Sequence, residues 1–150
     1  MATVLVVDEN PVERRIVRMT LDGEGHRVAE AADGVQGLAF LRQFAFDVVL
    51  VSADMQRIDG YSMIAQGRGI AHRENTRFIT MLESADEKGP VESFMAGASD
   101  LLIRPFGAQE LRETIDRVMV PEEIDLRDRL VGIQLEAYET AVRLQEQARG

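Results

Sequence analysis

Short apolar runs alternate along the chain with longer segments whose apolar residues recur at helical spacing. Residues 3–7 (TVLVV) predict a buried strand. Asn10 is placed to cap a helix with Pro11 in its first turn, Glu13 at the capping-box position, and Val12, Ile16 and Met19 on one face. The segment GEGH at 23–26 closes that helix. A strand at 27–31 leads through Asp33-Gly34 into a helix carrying Val35, Leu38, Leu41 and Phe44. Residues 47–52 are almost continuously apolar and predict a central strand, covered on both faces. A helix near 61–72, a strand near 77–82, a helix near 87–96 and a strand at 100–103 follow. A helix at 107–119 then places Leu111, Ile115 and Val118 inward. Strict alternation with right-handed crossovers predicts an α/β fold with a doubly wound, five-stranded parallel sheet. The functional crevice of such a sheet lies outside the carboxyl ends of its strands. Asp8-Glu9, Ser52 to Asp54, Leu82 to Ser84 and Arg104-Pro105 all fall there.

After Pro121 the pattern changes. Residues 122–148 hold no proline and no glycine except Gly132, and they predict one long C-terminal helix. One apolar stripe runs Leu126, Leu130, Ile133, Ala137, Ala141, Leu144, Ala148; a second runs Ile124, Val131, Leu135, Tyr138, Val142. Together they cover about half of the helix circumference, wider than a two-stranded seam. Such a helix either folds back on its own domain or packs against another chain. Five helices already cover a five-stranded sheet, so dimerisation is expected.

Composition narrows the classes. The chain has 150 residues, room for one domain over 1–120 and an appended element over 121–150. A hydrophobic content of 45% argues against disorder, and no apolar run approaches the length of a membrane span. The opening MATVLVVDEN lacks the basic start and cleavage site of a signal peptide, so a cytoplasmic location is expected. The absence of cysteine removes disulfides, thiol catalysis and thiolate metal sites. Seventeen Lys+Arg against 26 Asp+Glu give a net charge of −9, a poor basis for binding nucleic acid. Neither a nucleic-acid nor a membrane partner is expected. His26 and His72 lie far apart among charged neighbours and read as surface residues.

The segments VLVVDEN, FDVVLVSADMQRIDG and MAGASDLLIRPF resemble, in order and distance, the receiver domain of bacterial response regulators over about 1–120. This is the flavodoxin-like, chemotaxis-regulator type of doubly wound sheet. In that family an acidic pair after the first strand holds Mg²⁺, and an aspartate ending the third strand takes a phosphoryl group from a histidine kinase. A Thr or Ser after the fourth strand and a Lys before a Pro after the fifth bind the phosphoryl oxygens. Metal and cation neutralise the phosphoryl charge so that a carboxylate can attack it.

The resemblance maps the acidic pair onto Asp8-Glu9, but it maps the acceptor onto Ser52, seven residues before Asp59-Gly60. A serine hydroxyl cannot form an acyl phosphate, and it removes one of the carboxylates that attract Mg²⁺. Asp54 lies two residues on, where the family contributes a backbone carbonyl. The lysine becomes Arg104, a planar fork in place of a compact ammonium, before Pro105. The switch hydroxyl falls on Leu82, with Glu83 or Ser84 one or two residues away, and the switching aromatic falls on Leu101.

These departures lead to the expectation of a pseudo-receiver: a two-component, phosphorelay-type signalling module, not an enzyme, acting by protein–protein contact without Asp phosphorylation. No cofactor is expected, and any Mg²⁺ would be held weakly by Asp8, Glu9 and Asp54. Arg104 is expected to pair with Asp8 or Asp54 in place of a phosphate. The alternative is a phosphorylation-competent switch using Mg²⁺, with Asp54 or Ser52 as displaced acceptor. Implied partners are a histidine kinase or downstream effector, and a second copy bound through Leu126, Leu130, Ile133, Leu135, Tyr138, Val142 and Leu144. About thirty residues past 120 make one long helix and little else, so output through another protein or an oligomer is expected. Nucleophile-elbow, dinucleotide and metal-phosphatase patterns are absent from the sequence.

Overall fold

The computed structural model describes the chain except Ala85, Glu87, 121–125 and Gly150, and gives only the backbone for 126–130. Its elements run β1 (Thr3–Val7), α1 (Pro11–Gly23), β2 (Arg27–Ala31), α2 (Gly34–Gln43), β3 (Val48–Ser52), α3 (Gly60–Arg68), β4 (Arg77–Leu82), α4 (Lys88–Ala96), β5 (Asp100–Ile103), α5 (Ala108–Met119) and α6 (Leu126–Arg149). The strands form one parallel sheet in the order β2-β1-β3-β4-β5. The doubly wound α/β prediction therefore holds. Every residue of β3 is buried, as the unbroken apolar run of a central strand requires, while edge strand β2 is mostly half-exposed.

Two apolar layers sandwich the sheet. Leu5, Val49, Val51 and Phe78 meet α2, α3 and α4 on one face; Val4, Val6, Leu50 and Ile79 meet α1 and α5 on the other. Each fully buried Val, Leu or Ile contributes roughly 1.5–3 kcal/mol, which makes these layers the main force holding the sheet together. Chain order reverses at β1, whose sheet neighbours are β2 and β3. The crevice of a doubly wound sheet opens at such a point, between the residues that follow β1 and those that end β3.

Several sequence expectations shift. α1 buries Val17 and Leu21, whereas Val12, Ile16 and Met19 form a shared stripe that faces solvent. In α2, Leu38 and Leu41 are buried, but Val35 and Phe44 are exposed. α3 stops at Arg68 rather than near 72, with Gly69 capping it through bonds to the Gln66 and Gly67 carbonyls. His26 is half-buried, not a free surface residue: its Nδ1 accepts the Ala2 N–H at 2.9 Å and so fastens the start of β1.

α6 touches α4, so part of this helix folds back on its own domain. Ile133, Ala137 and Val142 are half-buried, while Val131, Leu135, Tyr138 and Leu144 remain exposed. The side chains of Leu126 and Leu130, and all of Ile124, lie outside the described residues. With 24 residues against 9 in α4, α6 is about 36 Å long and runs well past its contact.

Candidate functional site

Asp8 follows β1 directly and is 3% exposed. Its Oδ1 accepts the Asn10 N–H at 3.0 Å, and its Oδ2 accepts Nη2 of Arg104 at 2.6 Å. Arg14 holds the same loop from behind, donating Nη1 to the Asp8 carbonyl at 2.6 Å and Nε to Glu30 at 2.9 Å. Glu9 turns across the crevice and accepts the Gln56 N–H, tying the loop after β1 to the loop after β3.

Ser52 ends β3 and is 2% exposed, at the floor of the crevice. Beyond it the chain turns sharply. Ala53 N–H donates to the Met81 carbonyl, Gly60 N–H to the Ala53 carbonyl, and Asp59 caps α3 through Ser62 N–H. Gly60 is required there, because a Cβ would lie 2.2 Å from the Ser52 carbonyl oxygen. Asp54 sits on this turn with an exposed side chain.

Arg104 leaves β5 with its N–H on the Leu82 carbonyl at 2.8 Å and a cis peptide to the exposed Pro105. Its guanidinium, 12% exposed, reaches Asp8 at 2.6 Å, Glu83 at 2.7 Å and Glu13 at 2.8 Å. Burial opposes its charge, but Asp8 above all, then Glu83 and Glu13, hold its pKa above the ordinary arginine value. Of the two partners the sequence offered, Asp8 is the one taken. The spacing of Glu13 from Asn10 predicts a capping box. Asn10 does cap α1, accepting from Val12 and Glu13 N–H, but the Glu13 carboxylate turns to Arg104, and Asp8 takes the Asn10 N–H instead.

Asp8, Glu9, Ser52, Asp54, Glu83 and Arg104 share one cleft. Leu82 is not in it: 3% exposed, it packs into the core with its methyls against Gly89. Leu82, Ser84 and Tyr61 instead line a neighbouring cleft, which Asp54 and Glu83 also border. Ser84 donates its hydroxyl to Asp86, whose other oxygen accepts the Gly89 N–H. Burial, then Glu92, Asp86, Asp59 and Asp54, raise the Tyr61 pKa, keeping the phenol neutral. Leu101 is 4% exposed within the first core layer. Among the described residues no group of three or more His, Cys, Asp or Glu side chains is arranged to hold a metal ion. No described helix is long and apolar enough to cross a membrane.

Order of strands, reversal at β1 and an acidic crevice bridged by a cation from the end of β5 define a receiver-type α/β signalling module. Residues 4–116 match the response regulator receiver domain, and the chain belongs to that family of two-component signalling modules. It is 31% identical to the protein PilH of Pseudomonas aeruginosa over 119 residues, 79% of this chain and 98% of PilH. It is 30% identical to the transcriptional regulatory protein ResD of Bacillus subtilis over 72% of this chain but spans only 44% of ResD. Among solved structures, the chemotaxis protein CheY4 of Vibrio cholerae superposes with a TM-score of 0.76 at 30% identity, covering 79% of this chain and 98% of that one. The receiver domain of sensor histidine kinase PA1611 from Pseudomonas aeruginosa, solved with magnesium in its active site cleft, gives 0.74 at 26% identity, with 79% and 98% covered.

Proposed function

We propose that this chain is a pseudo-receiver, a protein-binding module of two-component signalling whose pocket is held in one state by Arg104 rather than by a phosphoryl group. The observation that carries this reading is the guanidinium bridging Asp8, Glu13 and Glu83 above a buried Ser52. A phosphoryl group works in such a pocket as a bound charge that recruits the surrounding loops. Here the bound charge is positive, built in, and recruits carboxylates from α1 and from the loops that follow β1 and β4.

The donor chemistry supports the same reading for magnesium. Mg²⁺ holds its waters unless free carboxylates or phosphates attract it. Both Asp8 oxygens are already engaged, one oxygen of Glu9 is on Gln56, and the third carboxylate has become a hydroxyl. These residues do not fit a resident Mg²⁺. With neither acceptor nor metal, the module acts without chemistry of its own, through contacts with a kinase, an effector or a second copy. The bare stripe of α6, carrying Leu135 and Tyr138, supports self-association through that helix.

A second reading has one observation in its favour: Asp54 borders the same cleft as Asp8 and Glu9. Intact mass spectrometry after incubation with acetyl phosphate and Mg²⁺, beside a Ser52→Asp variant, separates the two. The pseudo-receiver gives no adduct on the natural chain and one on the variant. An adduct on the natural chain that disappears in Asp54→Asn would replace this reading with a displaced acceptor.

A further inference from the structure

We infer that α6 of one copy seats on α1 of a second copy, in a reciprocal dimer; this rests on the self-association proposed above and names its counter-surface. α1 presents to solvent an apolar stripe at i, i+4 and i+7: Val12, Ile16 and Met19 are 66%, 57% and 65% exposed. α6 presents another at identical spacing: Val131, Leu135 and Tyr138 are 58%, 55% and 69% exposed. Side chains three and four apart lie on one helix face, so each trio forms a ridge of the same length.

Both ridges are left exposed within one molecule. α6 touches α4, on the sheet face shared with α2 and α3, whereas α1 lies with α5 on the opposite face. Charge favours the pairing between molecules. On α1, Arg15 and Arg18 keep side chains 62% and 39% exposed, and they share Glu30 and Asp22 with the largely buried Arg14. α6 sets Glu136 and Glu139, both exposed, beside Leu135 and Tyr138. A single seam of three residues on three is short for a specific interface. Twofold exchange doubles it toward the roughly 1,200–2,000 Å² typical of stable pairs, and it closes the assembly.

The chain has no cysteine, so introduced thiols report contacts without background. An Ile16→Cys chain mixed with a Leu135→Cys chain and mildly oxidised is expected to give the mixed disulfide by intact mass. Ile16→Glu, at an exposed position that leaves the circular dichroism unchanged, is expected to raise the dimer dissociation constant about tenfold or more by light scattering. A Leu135–Leu135 disulfide without the mixed product, or an unaltered dimer in Ile16→Glu, would overturn the α1 surface while leaving α6-mediated association intact. A natural chain that stays monomeric at tens of micromolar overturns both and assigns the two ridges to other proteins.

Discussion

Arg104 and Asp8 lie 96 positions apart in sequence and meet at 2.6 Å, joining the last strand of the sheet to the first loop. The contact crosses above the carboxyl ends of β3 and β4, which separate β1 from β5 in the sheet. It is also nearly sealed from water, at 12% and 4% side-chain exposure. That seclusion decides how its loss should be felt.

Removing Arg104 leaves Asp8 buried with an uncompensated charge. Breaking a buried pair from one side costs about 3 kcal/mol or more, so Arg104→Ala should lower Tm by roughly 6–12 °C. Glu83→Gln, at the 60% exposed arm of the same cluster, should cost under about 1 kcal/mol. Urea melts of both variants check the ranking; equal losses would place the energy in Glu83 rather than in Asp8.

A magnesium response should return with the missing carboxylate and be strongest when both departures are reversed. Differential scanning fluorimetry of the natural chain is expected to show no upward shift with Mg²⁺. The double variant Ser52→Asp, Arg104→Lys should rise by several degrees once the metal is about a hundredfold above its dissociation constant. A comparable rise in the natural chain would contradict the reading of its engaged carboxylates.

Two glycines should respond in opposite directions to the same methyl group. At Gly60 a Cβ meets the Ser52 carbonyl oxygen at 2.2 Å and the Ala53 Cα at 2.7 Å, both backbone atoms that cannot step aside. Gly60→Ala should cost about 1–3 kcal/mol. At Gly132, within α6, nothing lies within 4 Å, and alanine should stabilise the helix by roughly 0.5–1 kcal/mol. Denaturation midpoints moving the same way would refute the geometry at one of the two sites.

Glu30 provides a test by pH. Burial alone would raise its pKa, but Arg18, Arg14 and Arg15 outweigh it and hold the carboxyl below its ordinary value of 4.5. A depressed folded-state pKa contributes stability above the unfolded value, and this is lost as pH falls through the folded one. Glu30→Gln should therefore lie below the natural chain in Tm at pH 7, with the gap closing below about pH 4.5. A gap constant down to pH 3 would mean that packing, not ionisation, makes the difference.

The sheet was legible because its central strands β1 and β3 are nearly unbroken apolar runs, and no helix competes for five residues such as TVLVV. The crevice was legible too, since strand ends in a parallel alternation share one edge whatever the side chains do. Helix faces were harder to read. Val12, Ile16 and Met19 have perfect apolar spacing and face water, while Val17 and Leu21 do the packing. Periodicity finds a stripe but does not say which of two stripes the sheet selects. Glu13 was missed for a related reason: its spacing from Asn10 signals a local bond, and only the fold brings a guanidinium from position 104 near enough to outbid it. Arg14 and Gln56 carried no signal at all, because their roles use a backbone carbonyl and a backbone N–H that any residue supplies.

A phosphoryl group arrives and leaves, so the state of an ordinary receiver can be reversed. The guanidinium of Arg104 is attached to the chain by its own peptide bonds and arrives with translation. On the pseudo-receiver reading, this protein therefore has no memory to erase and no clock. On that reading the charge in the pocket is set when the chain is made, and a cell changes how many such pockets there are rather than the state of any one.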